Sequence, residues 1–463
     1  MNIEEFRAIF PDYKLPHYTH FDLRRSLAAS LEYVQNPKNI TRHAFYPFIE
    51  FNSITYKYTY NEQREKILKE KVRKLHYAAH IDSFIYKYYS IELSQKYEAW
   101  LKNNSLAACS LAYRTDMKGK CNIHFAAKAF RFLRKQQKAY VIVGDFKDFF
   151  PSLDHKYLKQ SLLKLLAVPS LPDDWYAVFK SLTKYAAVRR ETLLQINELE
   201  NTTDDLLEFN KLNQALPSGT TITQAKKAHP GFVQKNSNSF GIPQGTSLSG
   251  ILANIYMLEF DKQVHDFVNK MHGLYMRYCD DIIIILPDLS EAEFTEHYRT
   301  LHSYVTTIPR LCLEAKKTNI FLYEQQQLKN ISNAFHEQSK YCIDALNYLG
   351  FAFTSRGISI SDKAVSKYYY RMYKKAGTIV QNKTSAERKN YSSRNLYLHY
   401  SNHHERVEPA HSRIRHSTNL LDYVKRAQAV FKDDKGVSII RKKHLHKIRR
   451  KLNSWKTTKD KQQ

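Results

Sequence analysis

The stretch GLYMRYCDDIIIILPD, Gly273–Asp288, decides the reading of this chain. Leu274 to Tyr278 and Ile282 to Leu286 are both strand-like, and only Cys279, Asp280 and Asp281 separate them. That pattern predicts a tight β-hairpin with adjacent acids at its tip. Such a pair is often just a solvated turn. The unbroken apolar run from Ile282 to Leu286 argues otherwise, because it suits a strand covered on both faces. Ionised carboxylates are costly to bury unaided, so a buried hairpin that points two of them at one spot calls for a cation.

Upstream, AYVIVGDFKDFFPSLDH begins at Ala139. Tyr140 to Val143 is suited to a buried strand, and Asp145 follows at its end beside an aromatic pair, Phe149 and Phe150. Read alone, Asp145 is equally a turn or helix-capping aspartate. The two stretches together fit a specific chemistry, in-line attack of a 3′-hydroxyl on the α-phosphorus of a nucleoside triphosphate. Two Mg²⁺ ions roughly 4 Å apart can activate the attacking oxygen and stabilise the leaving one. Hard cations take oxygen ligands. Asp145 and Asp280 are expected to hold the metals from neighbouring strands, and Asp281, leaving its strand in a different direction, to assist. Between the acids lies SFGIPQGTSLSGILANIYM, from Ser239. Gly241, Pro243 and Gly245 predict a turn that lets backbone approach a ligand, with the Gln244 amide inside it. A helix is expected from about Ser249.

Composition agrees with an anionic partner. The 463 residues carry 72 Lys and Arg against 45 Asp and Glu, a net charge of +27 and a pI near 9.6. Nucleic acid is the leading candidate, since each phosphate contacted releases condensed counterions. With 43% hydrophobic residues a sizeable core is expected. No apolar run approaches a membrane span, and MNIEEFRAIFPDYK does not read as a signal peptide. Cys109, Cys121, Cys279, Cys312 and Cys342 show no metal-ligand spacing and suit a reducing cytoplasm. A charged helical stretch is expected near 62–74. Residues 190–235 form a polar interruption, either an inserted subdomain or a long loop. Beyond about 360 the strand signal fades into a helical, basic tail. From Arg441 to Gln463 it holds ten Lys or Arg and one acid, Asp460. That block is a solvated end or a phosphate grip.

The chain resembles reverse transcriptases. FKDFFPSL after Asp145 is similar to their motif A, GIPQGTSLSGILANIY to motif B, and YCDD at Tyr278–Asp281 to the YxDD box of motif C. LCLEAKKTNIF from Leu311 is similar to motif D, and LNYLGFAF from Leu346 to the primer grip. KVRKLHYAAHIDSFIYKYYS and LAYRTDMKGK resemble the two fingers motifs. The ordered set spans roughly 70–355 and resembles most the bacterial abortive-infection and unknown-group enzymes of antiphage defence.

That resemblance implies an α+β right-hand polymerase with a ferredoxin-like palm sheet. Residues 1–139 would be N-terminal extension and fingers, 140–360 palm with an inserted or fingers-like segment at about 185–238, and 361–463 a helical basic thumb. Asp145, Asp280 and Asp281 become the catalytic, metal-binding carboxylates, with the Phe146 carbonyl as an extra metal ligand. Manganese would substitute for magnesium. Phe150 matches the aromatic gate that excludes a 2′-hydroxyl, and Gln244 and Gly245 line the nucleotide pocket. Arg73 matches the arginine that pairs with the triphosphate, and Lys317 the motif D lysine. Arg114 and Lys118 are weaker matches, structural or phosphate-facing. Tyr278, Tyr348, Leu349 and Gly350 would contact the primer or template. The implied partners are an RNA template, such as a cognate non-coding RNA, the DNA product and deoxynucleoside triphosphates, with no membrane and with self-association left open. Two other readings stand beside this one. The same site could make DNA without a template or from a protein hydroxyl, or the fold could be an RNA-binding scaffold.

Overall fold

The structure, a computed structural model, describes residues 3–11, 13–60, 65–335, 343–381, 393–401, 420–438, 440 and 446–453. In chain order its strands are β1 (Phe48–Tyr60), β2 (Lys66–Tyr77), β3 (Lys138–Asp145), β4 (Ala186–Arg189), β5 (Gln234–Lys235), β6 (Leu274–Tyr278), β7 (Asp281–Pro287), β8 (Asn319–Glu324), β9 (Gln327–Asn330), β10 (Leu346–Tyr348), β11 (Phe351–Thr354) and β12 (Gly357–Ile360). Among the described residues these make three sheets, ordered β6-β7-β3-β8-β9, β2-β1-β4-β5 and β10-β11-β12.

The central sheet is antiparallel throughout. Helical chain separates β3 from β6, and the Glu291–Thr307 helix separates β7 from β8. The first and last strands of this βαββαβ unit, β3 and β8, pair with each other, and β7 and β6 follow on the other side of β3. That is the ferredoxin-like order, with β9 added outside β8. Both faces are covered. Tyr140, Ile142, Ile282, Ile284, Leu286 and Ile320 face one hydrophobic cluster, formed with the His80–Asn103, Ser247–Tyr256 and Leu258–Lys270 helices. Val141, Ile283, Ile285, Phe321 and Tyr323 face another, formed with the Asn122–Arg134 helix, the β10–β12 sheet and the Leu420–Val430 helix. Strand alternation therefore sends successive isoleucines of β7 into opposite cores. This is why the run reads as continuous. Each such side chain, fully buried, contributes on the order of 2 kcal/mol.

One expectation changes and one open alternative resolves. The charged stretch near 62–74 is not helical where it is described. Lys66–Tyr77 pairs with β1 residue for residue, from Tyr60↔Lys66 to Ile49↔Tyr77. The aromatic and β-branched strand FIEFNSITYKYTY offers it a complete ladder, and that pairing overrides the helix propensity of its lysines and glutamates. The segment 190–235 is not a structureless loop. It forms short helices, Arg190–Ile196, Thr203–Lys211 and Ile222–Ala228, around a small core of Leu193, Leu194, Phe209, Ala225 and Phe232. Ile49 of β1 and Val188 of β4 close that core, so this segment packs on the sheet that carries the β1–β2 hairpin.

Past residue 360 the described chain is helical, led by Asp362–Gln381. None of the described helices is long and apolar enough to cross a membrane. Most of the basic terminal block, and Cys342, lie outside the described residues; 446–453 is helical.

Candidate active site

Asp145 ends β3 and Asp281 begins β7, and the two are direct register partners. Tyr278, at the end of β6, pairs with Asp281 from the other side. Cys279 and Asp280 are thus the two turn residues. Cys279 takes φ 60°, the left-handed conformation that such tight hairpins need. The turn is also tied sideways, because the Phe146 N–H donates to the Asp280 carbonyl at 3.1 Å. Three carboxyl-bearing residues therefore share one end of two neighbouring strands. The chain beyond Asp145 meets Leu313 in an isolated bridge whose bonds run through flanking residues, Lys147 N–H to Cys312 O and Glu314 N–H to Asp145 O. The Phe146 carbonyl stays outside that bridge.

A buried ion pair props the turn from below, and nothing in the motif reading pointed to it. Arg277 on β6 is wholly buried. Its guanidinium donates to both Asp261 carboxylate oxygens, at 2.8 and 2.5 Å, to Asn254 Oδ1 at 3.0 Å and to the Cys279 carbonyl at 2.9 Å. Tyr275 donates to Asp261 as well, at 2.7 Å. Every charge in this network is matched, which is the condition for a buried ion pair to be tolerated. The bond to Cys279 fixes the carbonyl immediately before Asp280. The available signal was a lone arginine inside the apolar LYMRY strand and a lone asparagine inside the apolar ILANIY helix.

Electrostatics mark the same spot. The Asp281 carboxyl is pushed up to about 7, first by burial and then by the charges of Asp280 and Asp145, with Lys363 and Lys317 opposing. Lys317 lies against Asp145, Nζ to Oδ2 at 2.9 Å, as a cation at the mouth of the acid cluster. Among the described residues no group of three or more His, Cys, Asp or Glu side chains is closed around a metal position. The acids crowd one edge without converging on a point, and ammonium groups supply the positive charge there. A divalent cation suits such a donor set, since it would relieve the repulsion that raises Asp281.

The GIPQG turn lies beside this edge. The Gly241 N–H donates to the Leu153 carbonyl at 2.8 Å and the Ile242 N–H to the Phe150 carbonyl at 3.1 Å. From the other side the His76 N–H, near the end of β2, donates to the Gln244 carbonyl at 2.8 Å. Gly245 has φ +131°, and a Cβ there would lie 2.3 Å from the His76 carbonyl. Only glycine fits. Thr246 caps the following helix, accepting from Ser249 N–H at 3.0 Å, so the helix begins at Ser247, two residues earlier than expected. Phe150 is 7% exposed, packed with Phe149. Tyr113, half exposed, lies on Gly250 next to Cys279.

The remaining expected residues divide. Arg73 is exposed on β2, on the same face as Lys69 and Lys71, each two residues apart. Tyr278 is half-buried against Phe125. Tyr348 is buried. Alternation along β10 turns its ring into the core at 2% exposure, and the accessible part of that motif is the Leu349–Gly350 turn. Arg114 is structural, donating to the Ala107 and Ser110 carbonyls and pairing with Asp116. Lys118 is exposed.

The sequence profile described as "Reverse transcriptase (RNA-dependent DNA polymerase)" matches residues 66–353. Among solved structures, apo telomerase from Candida tropicalis, truncated from its C-terminal domain, is similar at 14% identity and a TM-score of 0.40, over 67% of this chain and 55% of that one. Telomerase from Candida albicans, in complex with the TWJ fragment of telomeric RNA, is similar at 13% identity and a TM-score of 0.35, over 92% of this chain and 61% of that one. The chain thus spans little more than half the length of these proteins. No curated protein matches it.

Proposed function

The chain belongs to the reverse transcriptase family, and from that premise we propose that it is an RNA-directed DNA polymerase whose reaction takes place at the Asp145–Asp280–Asp281 edge. The observation that carries this reading is the strand register itself, Asp145 opposite Asp281 with Asp280 in the adjoining turn. Divalent cations, with magnesium the expected ion, would supply there the charge that activates a 3′-hydroxyl and stabilises the departing pyrophosphate. Asp145, Asp280 and Asp281 would hold them, with the Phe146 carbonyl as a further oxygen donor. Phe150, Gln244 and Gly245 line the nucleotide side, and Arg73 pairs with phosphate. Lys317, already on Asp145, is placed to steady the triphosphate or to donate a proton to the leaving group.

In this reading residues 1–139 are the fingers side, joined by about 185–238 through the β2-β1-β4-β5 sheet, 140–360 the palm and 361–463 the thumb. The motif order supports a place among the bacterial antiphage enzymes, working in the cytoplasm on a cognate non-coding RNA.

The decisive assay is primer extension with magnesium, an RNA template and labelled deoxynucleotides. Wild type should give DNA, and Asp280→Ala with Asp281→Ala should lower the rate at least about a thousandfold, as loss of metal-held charge stabilisation does. Equal use of ribonucleotides would sink the DNA assignment. Product that stays protein-bound after nuclease treatment would instead reveal a protein primer. Sequencing co-purified RNA and plating phage on cells carrying either form test the template and the setting.

A further inference from the structure

Tyr113 stands where local preference alone would not put it. Its φ is 57°, a left-handed backbone conformation that crowds the Cβ of a bulky residue. Beneath it lies Gly250, inside the Ser247–Tyr256 helix, where glycine is the least favoured residue after proline. A Cβ added at Gly250 would lie 2.8 Å from Tyr113 Cγ and Cδ1 and 3.0 Å from Cδ2. A point at nearly equal distances from three adjacent ring carbons stands over the face of the ring. One face of Tyr113 therefore covers the helix backbone, and a larger residue at 250 would lift it. The ring is nevertheless 50% exposed. Half-exposed tyrosines are common by themselves. Here two unfavourable local choices seat one ring and then leave half of it in water, and strain of that kind gathers at functional positions.

The loop that carries Tyr113 is clamped on both sides, and the clamps locate it. Ser110 forms a bridge with Arg277 along β6, and the Leu111 N–H donates to the Arg277 carbonyl at 3.0 Å. Asn254 Nδ2 donates to the Ala112 carbonyl at 2.8 Å, while Asn254 Oδ1 accepts from the Arg277 guanidinium that also holds the Cys279 carbonyl. After Tyr113, Arg114 donates to the Ser110 carbonyl at 3.0 Å and Thr115 Oγ1 to Glu98 Oε1 at 3.0 Å. Gly250 is one helical turn before Asn254, toward Gln244 and Gly245. The ring thus lies between the turn that carries Asp280 and the GIPQG turn, on the β6 side. A rigid aromatic face in that place suits a nucleobase, because every base has a π-face to stack on it.

We propose that Tyr113 is a stacking platform for a nucleobase of the primer–template beside the point of synthesis, set at a fixed height by Gly250. This rests on the polymerase reading above. A base already in the duplex fits better than that of the incoming nucleotide. Phe150 and the GIPQG turn are joined to each other on the β3 side through the Ile242–Phe150 bond, whereas the Tyr113 loop is fastened to β6, two strands from β3. Stacking also tolerates any base, as copying an arbitrary template requires.

The test is Tyr113→Asn, since asparagine tolerates left-handed backbone and so keeps the loop, beside Tyr113→Phe, which keeps the ring. Affinity for an RNA-template, DNA-primer duplex, read by fluorescence anisotropy, should fall about fivefold or more in Tyr113→Asn, the usual loss when a stacked aromatic is removed. In Tyr113→Phe it should stay within about twofold of wild type. KM for deoxynucleotide should stay within about twofold in both. Abasic substitutions, placed one at a time in either strand, then identify the base. At the stacked position the wild type should lose its advantage and bind like Tyr113→Asn, a template position assigning the ring to the template and the 3′ terminus assigning it to the primer. Unchanged affinity in Tyr113→Asn overturns the proposal. So does a loss that persists undiminished at every abasic position, or one confined to KM for nucleotide. Because binding is read without turnover, an inactive wild type that still shows the abasic-sensitive difference would leave the platform standing while the polymerase reading fell.

Discussion

The β6–β7 turn carries acids and the β1–β2 arm carries cations, and the two are built in opposite ways. Beneath the turn, Arg277, Asp261, Asn254 and Tyr275 are buried and matched, so the acids sit on a fixed base. The arm has little beneath it. Among the described residues, only Phe48–Glu50 of β1 has a third strand alongside, β4, and the rest is a two-stranded ribbon. Ile54 and Val72, cross-strand partners on the face away from Lys71 and Arg73, are 48% and 49% exposed. A two-stranded ribbon of this kind is marginal by itself. The contrast teaches that the acids expected to hold metal are anchored on a buried, matched network, while the exposed cations of β2 stand on a ribbon with little packed beneath it.

The strongest way to break that contrast is to remove its anchor. Arg277→Met strands Asp261 as an unpaired buried charge and frees the Cys279 carbonyl. Loss of one partner of a buried pair costs about 3–5 kcal/mol, so chemical denaturation should show a drop of that size. Adding Asp261→Leu should recover much of it. A drop below about 1 kcal/mol would show that the network does not support the turn.

Next in size is the pH dependence at Asp281. Its carboxyl is raised from 3.8 to about 7, chiefly by burial. The folded state therefore keeps a proton that the unfolded chain gives up. The contribution to stability is full below the unfolded value, falls as pH rises through the interval, and is lost above about 7. That loss is on the order of 4 kcal/mol. A bound divalent ion should offset it, so magnesium should raise Tm more at pH 8 than at pH 5. An equal shift at both would mean that the ion binds elsewhere.

The smallest effect belongs to the arm. Ile54→Thr or Val72→Thr should change stability by no more than about 0.5 kcal/mol, because the side chains are half in water already. A cost above about 1.5 kcal/mol, approaching that of emptying a core site, would show that the arm's apolar face is covered in solution.

Much of this was legible one residue at a time. Unbroken apolar runs predicted β3 and β7, the three-residue gap from Cys279 to Asp281 predicted the hairpin, and Asp145, Asp280 and Asp281 stand out as acids at strand ends. The Lys66–Tyr77 strand was misread as a helix because its lysines and glutamates report helix propensity, while its pairing partner lies in β1. That Tyr348 turns inward was not legible, because a motif match gives no inward or outward direction.

What the sequence determined alone is local: strand alternation, turn chemistry and the placement of acids at strand ends follow from steric and solvation rules that act over a few residues. What only the tertiary structure decided is which distant charges meet. Arg277 with Asp261 and Lys317 with Asp145 each depend on the path of the intervening chain. Coulomb interactions ignore sequence separation and answer only to distance and burial.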